Sequence, residues 1–314
     1  MDLRRLRSFL RIVDTGSLTR AAAALNIAQP ALSQQIVSLE SQFGQKLLIR
    51  SHHGVTPTEA GRVLYRHAQS LLKQFEQCEK DVKRASASLS GSVSVGIAPY
   101  SGGSTIALDF LKAVRETYPD ILLHIVEGFS VPFSELIMNG KLNMAIMHGV
   151  GPMRGVKFHP IAKEEFFLVA SPSIPLPSES NHSVDLTDLV GAPLMLPSRI
   201  NFVRRAVDSS FSSIHQSPNI VAEVESLETL SKAVAEGVGC AILPWSVANQ
   251  IAVADRSFVK AIQNPTIEDT ISIGISDQMP LSEAAFAVRE LLLELALEAV
   301  KSGLWQSPQQ PVVA

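Results

Sequence analysis

Cysteine is nearly absent from the chain. Cys78 and Cys240 are the two in 314 residues; they cannot make a disulfide framework, and they form no metal-ligand cluster. Their scarcity points to a reducing compartment. Long apolar runs are missing as well, since no stretch reaches the roughly 18 residues that a bilayer-spanning helix needs. Arg4, Arg5, Arg7 and Arg11 break up the N-terminus and leave no apolar segment to read as a secretory signal. A cytoplasmic protein with no membrane partner is the expectation. Signatures of catalysis are also lacking. There is no nucleophile elbow and no phosphate-binding loop, and the eight histidines are scattered instead of spaced as ligands. An enzyme is therefore not expected, no cofactor and no metal site is predicted, and the lack of an export signal argues against a transport-type solute receptor.

What is present is ordinary globular material, 46% hydrophobic and 18% charged, in a chain long enough for two or three domains. The net charge of −3 hides an asymmetry. Residues 1–90 hold thirteen Lys and Arg against seven Asp and Glu, a net of +6, and the remainder carries −9. A basic first third on an acidic body aims the first part at a polyanion, or else records chance clustering. The local pattern decides between these.

Asp2 can cap a helix whose stripe is Leu3, Leu6, Phe9, Leu10 and Val13, with Gly16 placed to end it. Ser17 can cap a second, short helix with Leu18, Ala21, Ala22 and Leu25 inward, and Asn26 suits a left-handed ending. Gln29-Pro30 opens a third helix, with proline in the first turn where its missing N–H costs nothing. Leu32, Ile36, Leu39 and Phe43 make its inner stripe. Pro30, Ser33, Gln34, Val37 and Ser41 fall on the other side, with Gln29 at the start, and that outer face has no acidic residue. Glutamine can pair with the edge of adenine, serine with several bases, and proline or valine can touch a thymine methyl. This is what a major-groove recognition helix requires; an ordinary solvated helix face is the alternative. Residues 46–50 then read as a short strand, 51–54 as a turn and Val55-Thr56 as a return strand. In this wing Arg50, His52 and His53 sit near the tip for phosphates or the minor groove, with Thr56 and Thr58 behind them as further expected DNA contacts.

Ser17-Leu-Thr-Arg-Ala-Ala-Ala-Ala-Leu25, Ala28-Gln-Pro-Ala-Leu-Ser-Gln-Gln35, Leu39-Glu40, Leu47-Leu-Ile-Arg50 and Gly54-Val-Thr-Pro-Thr-Glu-Ala-Gly61 resemble the DNA-binding domain of LysR-type transcriptional regulators. With Ile12-Val-Asp14, the second of these segments is similar to the branch that contains nitrogen assimilation control regulators. The resemblance implies a sequence-specific regulator of transcription, with DNA-reading positions at Gln29, Pro30, Ser33 and Gln34 and with Arg50 and its turn on the backbone or minor groove. Two departures stand out. Ala28 replaces the usual Ser or Thr, which removes an N-cap worth about 1 kcal/mol, and His53 sits where the wing is often basic.

Leu64, Ala68, Leu71, Phe75, Cys78, Val82, Ala85 and Leu89 are spaced 4, 3, 4, 3, 4, 3, 4. This heptad seam, capped by Thr58, predicts a helix that dimerises through Leu64, Ala68, Leu71, Phe75, Cys78 and Val82, or one that packs on its own domain. The family resemblance implies dimerisation, and a homodimer or homotetramer then faces an interrupted palindrome in double-stranded DNA. Residues 86–91 read as a hinge.

Strands over 92–98, Ile121–Glu127 and 142–147 with helices between them imply a parallel sheet. Ligands of such sheets sit beyond the carboxyl ends of the strands, here at Ser101, Ser104, Thr105, Phe129 and His148. A second lobe is expected from Lys163, with strands at 166–170, Leu194–Leu196 and 219–225, and helices at 202–211 and 227–236. Its loop presents Ser198 and Arg199, and Ser226 starts its next helix. Gly237-Val-Gly-Cys-Ala-Ile-Leu-Pro244 is similar to a segment common in the family's effector domain; its glycines precede the strand, the wrong order for a dinucleotide site. A strand at 267–273 returns to the first lobe, and a closing helix covers 282–301.

The expected architecture is α/β: a winged helix-turn-helix at 1–58, a dimerisation helix at 59–90, and a two-lobed effector domain resembling periplasmic binding proteins. Lobe I spans 91–162 plus 267–301, lobe II 163–266, and a tail 302–314. Hydroxyls and Arg199 facing a cleft suit a small anionic effector. The alternative is an effector-independent regulator whose activity follows its abundance. RNA polymerase is the further partner that transcription regulation implies.

Overall fold

The computed structural model describes residues 2–51, 54–84, 89–128, 130–149, 151, 153–175, 182–255 and 257–305; for residues 77, 79–84, 130–131 and 253–255 it describes the backbone alone. The chain forms two compact units, Met1–Ala87 and Ser88–Ala314.

The first unit runs α1 (Leu3–Thr15), α2 (Leu18–Ala24), α3 (Gln29–Phe43), β1 (Leu48–Ser51), β2 (Gly54–Pro57) and α4 (Glu59–Arg84). Local signals set its joints. Asp2 caps α1 by accepting from the Arg4 N–H, and Gly16 ends it at φ +62°. Ser17 caps α2, Asn26 takes φ +53° after it, and Gly44 ends α3. Ala28 caps α3 without any side-chain bond, as its missing hydroxyl dictates. Leu6, Phe9, Ile12, Ala21, Leu32, Ile36 and Leu39 share one core with Leu47, Leu48 and Val55 of the wing. Phe43 departs from the expected inner stripe: it is 43% exposed, and lines an open apolar groove with Leu47, Val63 and Leu71.

Two glycines in this unit are required by close approach. A Cβ on Gly54, where φ is +124°, would lie 2.7 Å from the Gly16 carbonyl oxygen. That same oxygen accepts from the Val55 N–H, tying the wing to the α1–α2 turn. A Cβ on Gly61, in the first turn of α4, would lie 2.1 Å from the Leu47 carbonyl oxygen.

The second unit begins with β3 (Gly91–Ile97), α5 (Gly102–Thr105), α6 (Ala107–Thr117), β4 (Ile121–Glu127), α7 (Ser130–Met138) and β5 (Met144–His148). β4, β3 and β5 are parallel neighbours, as alternating strands and helices dictate. Next comes β6 (Val156–Ala170), then β7 (Ser183–Asp185), a 3₁₀ turn at Leu186–Leu189, β8 (Leu194–Leu196), α8 (Phe202–Ser213), β9 (Ile220–Glu223), α9 (Leu227–Ala235) and β10 (Ala241–Pro244). The unit closes with α10 (Trp245–Asp255), β11 (Phe258–Gln263), β12 (Glu268–Ser276) and α11 (Glu283–Lys301).

The main sheet has the order β4-β3-β5-β12-β6-β11-β7, with β10 also on β6. The first half of β6 pairs antiparallel with β12, which returns to lie beside β5. The second half pairs with β10 and β11. One 15-residue strand is thus common to both lobes, and the expected boundary at 162–163 falls inside it. The expected strand covers 166–170 alone; the structure extends it back to Val156 and accommodates Pro160 beside a register shift between Ile271 and Ser272. The expected tail also begins too early. Trp305 is buried against Gly102, its indole donating to the Gly102 carbonyl at 3.0 Å. A lone tryptophan after Gly303 carries no periodicity to announce this.

Candidate functional site

The outer face of α3 stands clear of the core. Gln29, Pro30, Gln34, Val37 and Ser41 are exposed and Ser33 is half-buried. The one acidic residue of α3, Glu40, points the other way. Its Oε1 accepts from the Leu47 N–H at 2.9 Å and the Leu48 N–H at 3.3 Å, and its Oε2 accepts from Lys46 Nζ at 2.7 Å. A buried carboxylate therefore anchors the first strand of the wing to α3, and keeps negative charge off the outer face. Burial raises the Glu40 pKa, but Lys46 and the two N–H groups outweigh this and hold it below its ordinary value.

The wing returns a cation to α3. Arg50 on β1 donates from both Nη1 and Nη2 to Ser33 Oγ, each at 3.2 Å. Thr56, opposite Ile49 on β2, is exposed. Thr58 has a different task from the expected DNA contact: its Oγ1 accepts from the Gly61 N–H at 2.9 Å and donates to the Lys46 carbonyl at 2.7 Å. It caps α4. His52 and His53 lie outside the described residues. On the core side, Ser8 Oγ donates to Gln35 Oε1 at 2.5 Å, fixing α3 against α1.

The seam expected on α4 divides in two. Leu64 and Ala68 are buried in the core of their own unit, as is Leu72. This corrects their assignment to a partner-facing seam, for α1 packs over the first half of α4. Leu71 (37%) and Phe75 (40%) are exposed, as is Cys78; the Val82 side chain and Ala85 lie outside the described residues. Val63 and Leu71 continue the exposed stripe into an apolar groove that reaches Phe43. The helix thus follows the own-domain reading in its first turns and leaves Leu71, Phe75 and Cys78 of the expected seam open.

In the effector unit four of the expected hydroxyls are already engaged. Ser101 is fully buried, and its Oγ donates to the Ala98 carbonyl at 2.6 Å. Ser104 Oγ donates to the Ser101 carbonyl and Thr105 Oγ1 to the Gly102 carbonyl, both at 2.7 Å. Ser226 caps α9 through the Thr229 N–H, and Arg199 is exposed on its loop. The Ser198 N–H donates to Glu225 Oε1 at 3.0 Å. Phe129 lies outside the described residues. His148 is buried and stacks on Phe202, centroids 3.8 Å apart and planes 5° from parallel. Its Nε2 is 2.9 Å from Glu164 Oε2, while Nδ1 has no partner among the described residues. Ser101, Ser104 and His148 are thereby brought near one another, with Ser198 and Ser226 on the other lobe.

Glu164 is the residue that sequence reasoning missed. Strand alternation could have found it: Ala162, Glu164 and Phe166 share the buried face of β6, while Lys163 and Glu165 face outward. Arg204, likewise unforeseen, is buried and bonded to Asp208 and Glu223. Burial lowers its pKa, and those bonds more than restore it.

Comparison with known proteins decides the family. Residues 3–62 match the model described as bacterial regulatory helix-turn-helix protein, lysR family, and residues 86–297 match the LysR substrate binding domain. The chain belongs to the LysR family. It is 39% identical to the nitrogen assimilation regulatory protein nac of Escherichia coli K12 over 307 residues, 98% of this chain and 99% of that one. A full-length OxyR variant from Pseudomonas aeruginosa has the same fold at TM-score 0.68 and 22% identity, covering 99% of each chain. Full-length CbnR in complex with its target DNA gives TM-score 0.61 at 20% identity, covering 94% of this chain and all of that one.

As a LysR-family protein it is a DNA-binding transcriptional regulator and not an enzyme. The LysR effector domain fits modulation by a metabolite. Among the described residues no helix is long and apolar enough to cross a membrane. Cys240, buried beside the Pro193 carbonyl, has its thiol pKa pushed up to about 11 by burial, which suits a packing role over a reactive one.

Proposed function

We propose that this LysR-family regulator acts in the cytoplasm as a homodimer or homotetramer on an interrupted palindrome, with the outer face of α3 in the major groove of each half-site. Gln29 and Gln34 present amides to base edges, Ser33 a hydroxyl, and Pro30 and Val37 apolar surface for thymine methyls. Arg50, the turn at His52 and His53, and Thr56 serve the phosphates or the minor groove. Two heads are joined through the exposed α4 stripe of Val63, Leu71 and Phe75, and the bound complex addresses RNA polymerase. One observation carries this reading: an exposed, acid-free α3 face with the Arg50 guanidinium held on Ser33. The cation is set beside the reading face before DNA arrives, which lowers the ordering cost of binding. That CbnR was captured with its target DNA agrees with it.

Gln29→Ala and Ser33→Ala should each cost about 1–3 kcal/mol at the preferred site and relax its specificity. Arg50→Ala should weaken binding to all sequences and lower the salt slope by about one unit. Footprinting and salt titration on matched and random duplexes measure both. Unchanged sequence preference in Gln29→Ala rejects the placement of α3.

For the effector domain two readings compete. Modulation by a small anionic metabolite between the lobes, through Ser101, Ser104, Thr105, Phe129, His148, Ser198, Arg199 and Ser226, is what the domain type fits. An effector-independent regulator, active in proportion to its abundance, is favoured by one feature: the Ser101, Ser104 and Thr105 hydroxyls already donate to backbone carbonyls. Calorimetry with a metabolite panel on wild type, Ser101→Ala and Ser198→Ala separates them. Saturable binding that both substitutions weaken selects the first reading.

A further inference from the structure

Glu164 lies on β6 just before that strand passes from the β12 ladder to the β10 and β11 ladders, and none of it reaches solvent. A carboxylate there gives up its hydration, which is tolerable only where hydrogen bonds replace it. Three donors do so. Oε2 faces His148 Nε2 at 2.9 Å and the Gly102 N–H at 3.4 Å, and Oε1 accepts from Ser246 Oγ at 2.6 Å. His148 ends β5 and Gly102 begins α5, both in the first lobe. Ser246 stands in the first turn of α10, in the second. The carboxylate is therefore bonded to both lobes at once. The ring that donates to it is gripped a second time, by the flat stack of Phe202 from the start of α8.

An imidazole N–H, a hydroxyl and a backbone N–H converging on two oxygens are the donor set that recognises a carboxylate ligand. We propose that Glu164 is the effector domain's built-in anion, filling the place a carboxylate effector would take and holding the lobes together without one. This rests on the effector-independent reading above. It follows that deleting the side chain opens a site for a short monocarboxylate. Glu164→Ala removes a CH₂–COO⁻ group, which acetate matches in size and charge.

The test uses full-length wild type, Glu164→Ala and Glu164→Gln, titrated with sodium acetate against sodium chloride of equal ionic strength. Trp245 adjoins Ser246, and Trp305 covers Gly102, so intrinsic fluorescence reads the site from two sides. In Glu164→Ala, acetate should give a saturable fluorescence change and, at ten times its Kd, raise Tm by about 3–5 °C. Wild type and Glu164→Gln, whose site remains filled, should show neither. Adding Ser246→Ala to Glu164→Ala should weaken acetate at least tenfold. A Glu164→Ala protein that folds in acetate and not in chloride also supports the proposal. One that folds in neither, or folds and ignores acetate, overturns it, as does an equal acetate response in wild type or Glu164→Gln. The underlying reading fails separately: a metabolite would bind wild type and alter its footprint while Glu164→Ala still took acetate.

Discussion

Removing the Glu40 side chain probes the link between the wing and α3. In Glu40→Ala the N–H groups of Leu47 and Leu48 lose their shared acceptor, now at 2.9 and 3.3 Å. Both leucines are buried, and an orphaned buried donor costs about 1–3 kcal/mol. The longer Leu48 bond relaxes more easily toward water, so the expected loss from the first unit is about 2–4 kcal/mol. The ion pair to Lys46 adds little, because that lysine is largely exposed. Glu40→Gln keeps one oxygen for both N–H groups and loses the charge and the exposed Lys46 bond, so its cost should be nearer ~1 kcal/mol. Acidity should expose the same group. The folded pKa of Glu40 is lowered, so its stabilisation is complete above the unfolded-state value of about 4.3 and disappears as pH falls through the lower folded value. Glu40→Gln lacks that acid-side loss. Amide hydrogen exchange over residues 2–84 of the full chain is the assay, because a two-unit chain does not unfold in one step. Equal protection in wild type and Glu40→Ala, or an equal cost for Ala and Gln, refutes the reasoning.

Gly61→Ala should destabilise the first unit by about 1–3 kcal/mol, although alanine is the better helix former by about 1 kcal/mol, because its Cβ meets the Leu47 carbonyl; a stabilised variant in thermal unfolding would reverse the argument. Phe75→Lys on the exposed stripe should dissociate the assembly in sedimentation velocity. Leu64→Ala, inside the core, should leave assembly intact and cost about 2–5 kcal/mol; dissociation by Leu64→Ala as well restores the full seam first read from the heptads.

The three-helix head with its wing was legible because its signals are local. A cap at Asp2 or Ser17, a left-handed residue at Gly16 or Asn26, and a stripe at Leu32, Ile36 and Leu39 each need only a few neighbours in sequence. The outer face of α3 followed from the same stripe, since a helix that buries one side must show the other. The heptad on α4 misled at its start for a related reason. Leu64 and Ala68 have the spacing of a seam, but periodicity says only that a face is apolar, not which partner covers it, and α1 of the same chain covers that one.

What the amino-acid order determined by itself is therefore the head, its reading face and the alternation of strands and helices that follows. Tertiary structure alone decided that Glu40 faces the wing, that Trp305 closes over Gly102, that β6 serves both lobes, and that Glu164 sits among His148, Gly102 and Ser246. Those partners lie 16 to 82 positions away from Glu164. The physical reason is that a helix or turn is specified by contacts within one or two turns of chain. Which donors meet a buried carboxylate is fixed only when sheets and helices from distant segments close on one another.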